Sequence, residues 1–261
     1  MNELIVICDP AYDRYEELLL RKNDLKKECL HLELEYTRIF GEQIIAVFRK
    51  KIECVQKKKA IEFCQIALNR GQLPDESKLA EFIRNETLEM QEHLEQMISD
   101  YNSANDFTTL TESDSLKIKT IYRRIAKQIH PDINPHVQES ERLKDLWHEV
   151  VSAYNRNDLE SLSELEVLIS RELSGIIGEV TAIQIPDIDK KIASLEEEIG
   201  HIMDTDPYQY KFLLTDKEAV AAKKEDLTRE LNTYQEYSAQ LDALLAEVTG
   251  KGDVDSLWDQ N

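Results

Sequence analysis

His130, Pro131 and Asp132 stand together near the middle of the 261-residue chain. An imidazole two positions from a carboxylate suggests acid–base chemistry. No nucleophile or second base lies near them in sequence, however, and a tip pinned by proline is convex rather than the pocket a small substrate needs. The chain is accordingly expected not to be an enzyme. A second set of charged groups precedes the tripeptide. Lys117, Lys119, Arg123, Arg124 and Lys127 fall within Leu116–Ile129, a stretch with no acidic residue. Against a formal net charge of −20 this is a local inversion of sign. Most charge runs are solvated faces, but an all-basic stretch in so acidic a chain fits association steered by an acidic partner, which salt would weaken. Residues suited to metal or redox chemistry are scattered. Cys8, Cys29, Cys54 and Cys64 form no CxxC, and His31, His93, His136, His148 and His201 show no ligand spacing. No metal and no cofactor are expected.

Helices must hold these groups. Ile118, Ile121, Tyr122, Ile125 and Ile129 share one helical face. Pro131 ends that helix at about Ile129 or His130, because proline lacks a backbone donor and disfavours helical backbone in the residue before it. A polar loop through Asn134-Pro135 leads to a second helix starting near Gln138, with Leu143, Leu146, Trp147, Val150 and Tyr154 at spacings of three and four. Two helices joined by a tight loop pack antiparallel. That places His130, Pro131 and Asp132 at an exposed tip, with Tyr122, Trp147 and Tyr154 in the core. An imidazole there has no core contacts to lose, so His130→Gln is expected to leave stability within about 0.5 kcal/mol.

This arrangement resembles the J-domain of the DnaJ-type co-chaperones. The residues that carry the resemblance are Ile118-Lys119, Tyr122-Arg123-Arg124, Ala126-Lys127, His130-Pro131-Asp132, Asn134-Pro135, Trp147 and Ala153-Tyr154, within about fifty residues of the chain. It implies a partner, the ATPase domain and adjoining linker of a DnaK-type heat-shock chaperone. Lys119, Arg123, Arg124 and Lys127 would dock on it, with His130, Pro131, Asp132 and Asn134 engaging it and promoting hydrolysis of its bound ATP. The J-domain itself performs no covalent chemistry.

The chain also departs from the family. A short first helix with adjacent aromatics and a Leu-Gly should precede the basic helix, and Asp106-Phe107 with Leu110 imitates it poorly. Either that helix is degenerate, or the end of the preceding helix (Leu94, Met97, Ile98, Tyr101) packs in its place. Beyond Tyr154, Glu160, Glu164 and Glu166 replace the basic cluster many members carry. A Gly/Phe-rich linker and a zinc-binding cysteine domain are missing. In J-proteins of that kind the extra domain typically recruits one specific partner or location. The alternative, from a different class, is a helical coiled-coil scaffold in which the J-like hairpin is only structural.

Composition sets the fold class. Seven glycines, six prolines and 32% charged residues favour long helices, so an all-α fold is expected, with coiled-coil arms flanking the central hairpin. An acidic chain lacks the basic footprint that nucleic acid or an anionic membrane requires. No apolar run of about twenty residues is present, and Leu4–Cys8 lacks the form of a signal peptide, so a cytoplasmic location is expected. Three stretches follow one another: 1–102, an N-terminal helical or coiled-coil region; 103–174, the J-like module; and 175–261, a C-terminal helical hairpin.

In the first stretch Tyr15, Leu18, Leu25, Cys29, Leu32, Tyr36 and Ile39 form a seam interrupted by Lys22. Gly41 is expected to kink or break it. Asn69–Pro74 is a stop-turn-start sequence that folds Glu76–Tyr101 back along Ile44–Leu68, and Asn102–Ser115 reads as a linker. In the third stretch Ile188, Ile192, Leu195 and Ile199 are expected to bury against Leu227, Leu231, Tyr234 and Leu241. Met1–Cys8 and Glu179–Ile185 are candidates for a minor two-stranded β element.

Overall fold

Few helix-breaking residues and a preponderance of Leu, Glu and Lys leave helix as the favoured local state over most of this chain. The computed structural model describes residues 10–106, 111–134, 137, 139–176 and 187–249, and its fold is all-α. In chain order the described helices are α1 (Pro10–Asn69), α2 (Glu76–Asp106), α3 (Glu112–Ile129), α4 (Glu141–Asn155), α5 (Leu159–Ile176), α6 (Ile188–Asp204), α7 (Tyr210–Thr215) and α8 (Lys217–Thr249). Both strand candidates, and Trp258, lie outside the described residues. No described helix is long and apolar enough to cross a membrane.

The expected kink at Gly41 is not met, since α1 runs unbroken through it. The glycine has a packing reason instead. A Cβ at position 41 would lie 2.5 Å from Cδ2 of Tyr101, so its absence admits that ring against the helix. The linker is also shorter than its composition suggests. Ser103 and Asn105 remain helical, their side chains donating to the carbonyls of Ser99 and Tyr101 at 2.9 and 3.0 Å. This is the local competition that makes Ser and Asn ambiguous in sequence. Helix α3 then starts on the Thr111 cap, whose hydroxyl accepts from the Asp114 N–H.

The chain divides into two compact units that interleave in sequence. Of the described residues, one unit takes those within 1–32 and 108–209, the other those within 33–107 and 210–261. In the second unit, Ile45 and Ile52 of α1 cluster with Leu94 of α2, joined by Phe48, Met97, Ile98 and Tyr101. Further along, Ala60 and Cys64 cluster with Leu79, Ile83 and Leu245. Rising α1 numbers meet falling α2 numbers, so the two helices are antiparallel, as the stop-turn-start sequence predicts. In this unit Leu94, Met97, Ile98 and Tyr101 pack on α1. Contacts of α8 run the other way: Gln43 reaches Thr228 at 3.3 Å, and Lys57 reaches Asp242 at 2.7 Å, so α8 lies parallel to α1. Tyr210 stacks on Tyr36 with centroids 4.2 Å apart, while Phe212 is exposed.

In the first unit, α3, α4 and α5 share one core. Ile118, Tyr122, Ile125 and Ile129 meet Leu143, Leu146, Trp147 and Val150, closed by Leu162, Leu165 and Ile169 and by Leu20 from α1. Tyr122 stacks on Tyr154 at 3.8 Å and His130 packs on Trp147 at 4.7 Å, which makes α3 and α4 antiparallel. A separate cluster joins Tyr15, Leu18, Leu19 and Leu25 of α1 to Leu195 and Ile199 of α6. The α6 seam is therefore buried as expected, but against α1. Leu195 and Ile199 cluster with these α1 residues and not with the expected Leu227, Leu231, Tyr234 and Leu241.

Candidate functional site

Helix α3 delivers its basic face and its C-terminal end to one region. The helix stops where proline requires: His130 is the C-cap, with extended backbone (φ −64°, ψ 125°) and its N–H on the Ala126 carbonyl. The chain then closes on itself. The N–H groups of Ile133 and Asn134 donate to the His130 carbonyl at 3.0 and 2.8 Å, and the Asn134 amide donates to the Lys127 carbonyl at 2.9 Å. Asn134 thus satisfies one of the carbonyls that a helix end leaves open.

The expected exposed ring is not found. His130 is only 7% exposed, with its ring on Trp147 and its Nδ1 accepting from the Asp132 N–H at 3.1 Å. That bond places the proton of a neutral ring on Nε2. Burial pushes the imidazole below the ordinary histidine value, with Asp132 opposing and Lys22 adding to the effect. Pro131 and Asn134 are half-buried and Asp132 is exposed. The next residue, Ile133, is fully buried, clustered with Tyr15, Leu18 and Leu19 of α1, and its carbonyl accepts from the Tyr12 hydroxyl at 3.2 Å. The tip is tucked under α1 because an apolar residue follows the polar triplet.

The basic face is likewise engaged within the unit. Asp24 of α1 accepts from Lys119 at 3.0 Å, Arg123 at 2.5 Å and the Tyr154 hydroxyl at 2.8 Å. Lys127 pairs with Glu16. Arg124 turns to α5 and meets Glu166 at 2.8 Å. The four cations keep 43–59% of their side-chain surface in contact with water, whereas Asp24 keeps only 13%. Around this hub Asn23 donates to the Tyr122 hydroxyl at 3.0 Å, and the Lys27 ammonium sits 3.7 Å above the Tyr154 ring. Burial lowers Lys27 to about 8, with Asp24 resisting and Lys119 contributing, and burial raises the phenols of Tyr122 and Tyr154.

The structure thus brings Lys119, Arg123, Lys127, His130, Pro131, Asp132 and Asn134 to one side of α3, and turns Arg124 toward α5. Sequence reading missed the α1 residues that meet them: Tyr12, Glu16, Asn23 and Asp24. One signal was present. Glu16 and Asp24 have the same separation as Lys119 and Lys127, about 12 Å along either helix at 1.5 Å per residue. Two such helices in antiparallel register match charge for charge.

Beside this hub lies a cavity of about 190 Å³ lined by Glu17, Leu20, Arg21, Asp24, Lys119 and Arg123, polar and charged for the most part. Among the described residues no three His, Cys, Asp or Glu side chains gather as a metal site. No family model matches the chain, no curated protein matches it, and no solved structure matches it.

Proposed function

We propose that the α3–α5 module is a J-type docking module and that the protein is a co-chaperone or adaptor for a DnaK-type chaperone, working in the cytoplasm and carrying out no covalent chemistry itself. The observation that carries the reading is the union of two features on one helix. An all-basic face, Lys119, Arg123, Arg124 and Lys127, ends at His130-Pro131-Asp132 in an antiparallel hairpin cored by Tyr122, Trp147 and Tyr154. A positive face steers encounter with an acidic ATPase domain, and the loop supplies short-range contacts that steering lacks. The remaining helices are free to recruit one specific partner, as in J-proteins without a zinc domain.

A second reading draws on the burial of His130 and the internal pairing of the cations: a helical scaffold in which the hairpin is only structural. Single-turnover ATP hydrolysis by a panel of DnaK-type chaperones separates the two. On the co-chaperone reading the full chain accelerates hydrolysis and His130→Gln removes the acceleration at saturating protein. Acceleration that survives His130→Gln, or none from a chain whose α1 has been released as described next, would leave the scaffold.

A further inference from the structure

The four cations assigned to docking are paired with other helices of the same unit, and His130 is buried beside them. We infer that the first turns of α1 are an intramolecular latch, whose acidic residues occupy the α3 face in place of an acidic partner and whose apolar side holds the loop after the tripeptide. This rests on the docking assignment above and adds its regulation.

Two independent sets of contacts carry it. Asp24 bridges Lys119 and Arg123 while Glu16 takes Lys127, so α1 presents negative charge to three of the four cations a partner would need. Tyr12 holds the Ile133 carbonyl, and Ile133 is fully buried among Tyr15, Leu18 and Leu19. A partner cannot take the loop while α1 lies on it, so its apparent affinity is its intrinsic affinity reduced by the fraction of molecules with α1 displaced. The latch is ionic at its centre, with the cations still wetted. Charge changes on α1 should therefore shift the balance without touching a docking residue.

The test uses the full chain carrying Glu16→Lys and Asp24→Lys together, which sets α1 against the α3 face. Hydrogen exchange in residues 10–32 and in the 130–134 loop reports release, and binding to an ATP-loaded DnaK-type chaperone reports docking. We expect faster exchange, binding tightened by roughly tenfold, within the usual range of intramolecular coupling, and loss of that binding when His130→Gln is added. Should the reversal cost the unit its helix content, Glu16→Gln with Asp24→Asn replaces it, with the same expectation in smaller measure. Faster exchange with chaperone binding equal to that of the unaltered chain would overturn the latch and leave the docking assignment standing. Faster exchange with no binding to any chaperone would overturn the docking assignment itself. Unchanged exchange would show that these ion pairs do not hold α1 and would also overturn the latch.

Discussion

Burial against Trp147 strips water from the His130 imidazole, and a proton added to it would find only Asp132 as counter-charge, with Lys22 repelling it. The sign of the pH effect follows from linkage. Above the ordinary histidine value of about 6.5 the ring is neutral in both folded and unfolded chains. Below it the unfolded chain binds a proton that the folded chain resists, so this residue makes the fold less stable as pH falls from about 6.5 toward its lowered folded value. His130→Gln gives up the Trp147 contact and the bond from the Asp132 N–H, and should cost about 1–2 kcal/mol near pH 7.5, more than its sequence alone suggests. The gap in urea stability between the two proteins should narrow by pH 5.5. His31, half-buried and shifted the same way, is common to both and cancels. A gap that stays constant or widens would mean the ring is not held neutral. The burial was not legible in the tripeptide, since polar residues around a proline stop look solvent-facing; the ring is covered by Trp147 from the next helix, and the neighbouring Ile133 by a helix more than a hundred residues earlier in the chain.

At the scale of helices, apolar periodicity reveals that a face is buried without revealing against what. The Ile188–Ile199 stripe was plain in the sequence, yet its match to α8 was as good as its match to α1. Only the structure shows Leu195 clustered with Leu18 and Leu19. Leu195→Ala should cost about 2–5 kcal/mol. In a double-mutant cycle it should couple to Leu19→Ala by at least about 0.5 kcal/mol and show no coupling to Leu227→Ala; the reverse pattern would restore the α6–α8 hairpin. The pairing of α2 with α1 was legible because Asn69–Pro74 forces a reversal and leaves little choice of neighbour. Gly41 shows propensity overruled by packing. Alanine would favour the helix by about 1 kcal/mol, but its methyl would meet the Tyr101 ring at 2.5 Å. We expect Gly41→Ala to lower stability by about 1–3 kcal/mol, and to become neutral or favourable when Tyr101 is also alanine. Thermal melts of the four proteins decide it.

For the molecule as a whole, the two units have cores of their own, and α1 is the helix that contributes to both. Damage should therefore stay local. Gly41→Ala should speed hydrogen exchange in α2 and α8 while α4 and α5 keep their protection, and Leu195→Ala should do the opposite. Uniform loss of protection from either change would show a single cooperative fold. The second unit also carries a charged network. Lys57 is bound by Glu53 at 2.8 Å and Asp242 at 2.7 Å, and the Ser238 hydroxyl donates to Glu53. Burial resists ionisation of Glu53, but the bonds from Lys50, Lys57 and Ser238 prevail and bring it down to about 2. The interleaved order has one more consequence, for the chain as it is made. Residues 15–25 leave the ribosome with an apolar stripe whose partners, Leu195 and Ile199, are not yet translated. At about 5–20 residues per second, the interval is roughly 10–30 s. During that time the nascent stripe is itself the kind of exposed segment that general chaperones hold, and the first unit can close only after α6 has emerged.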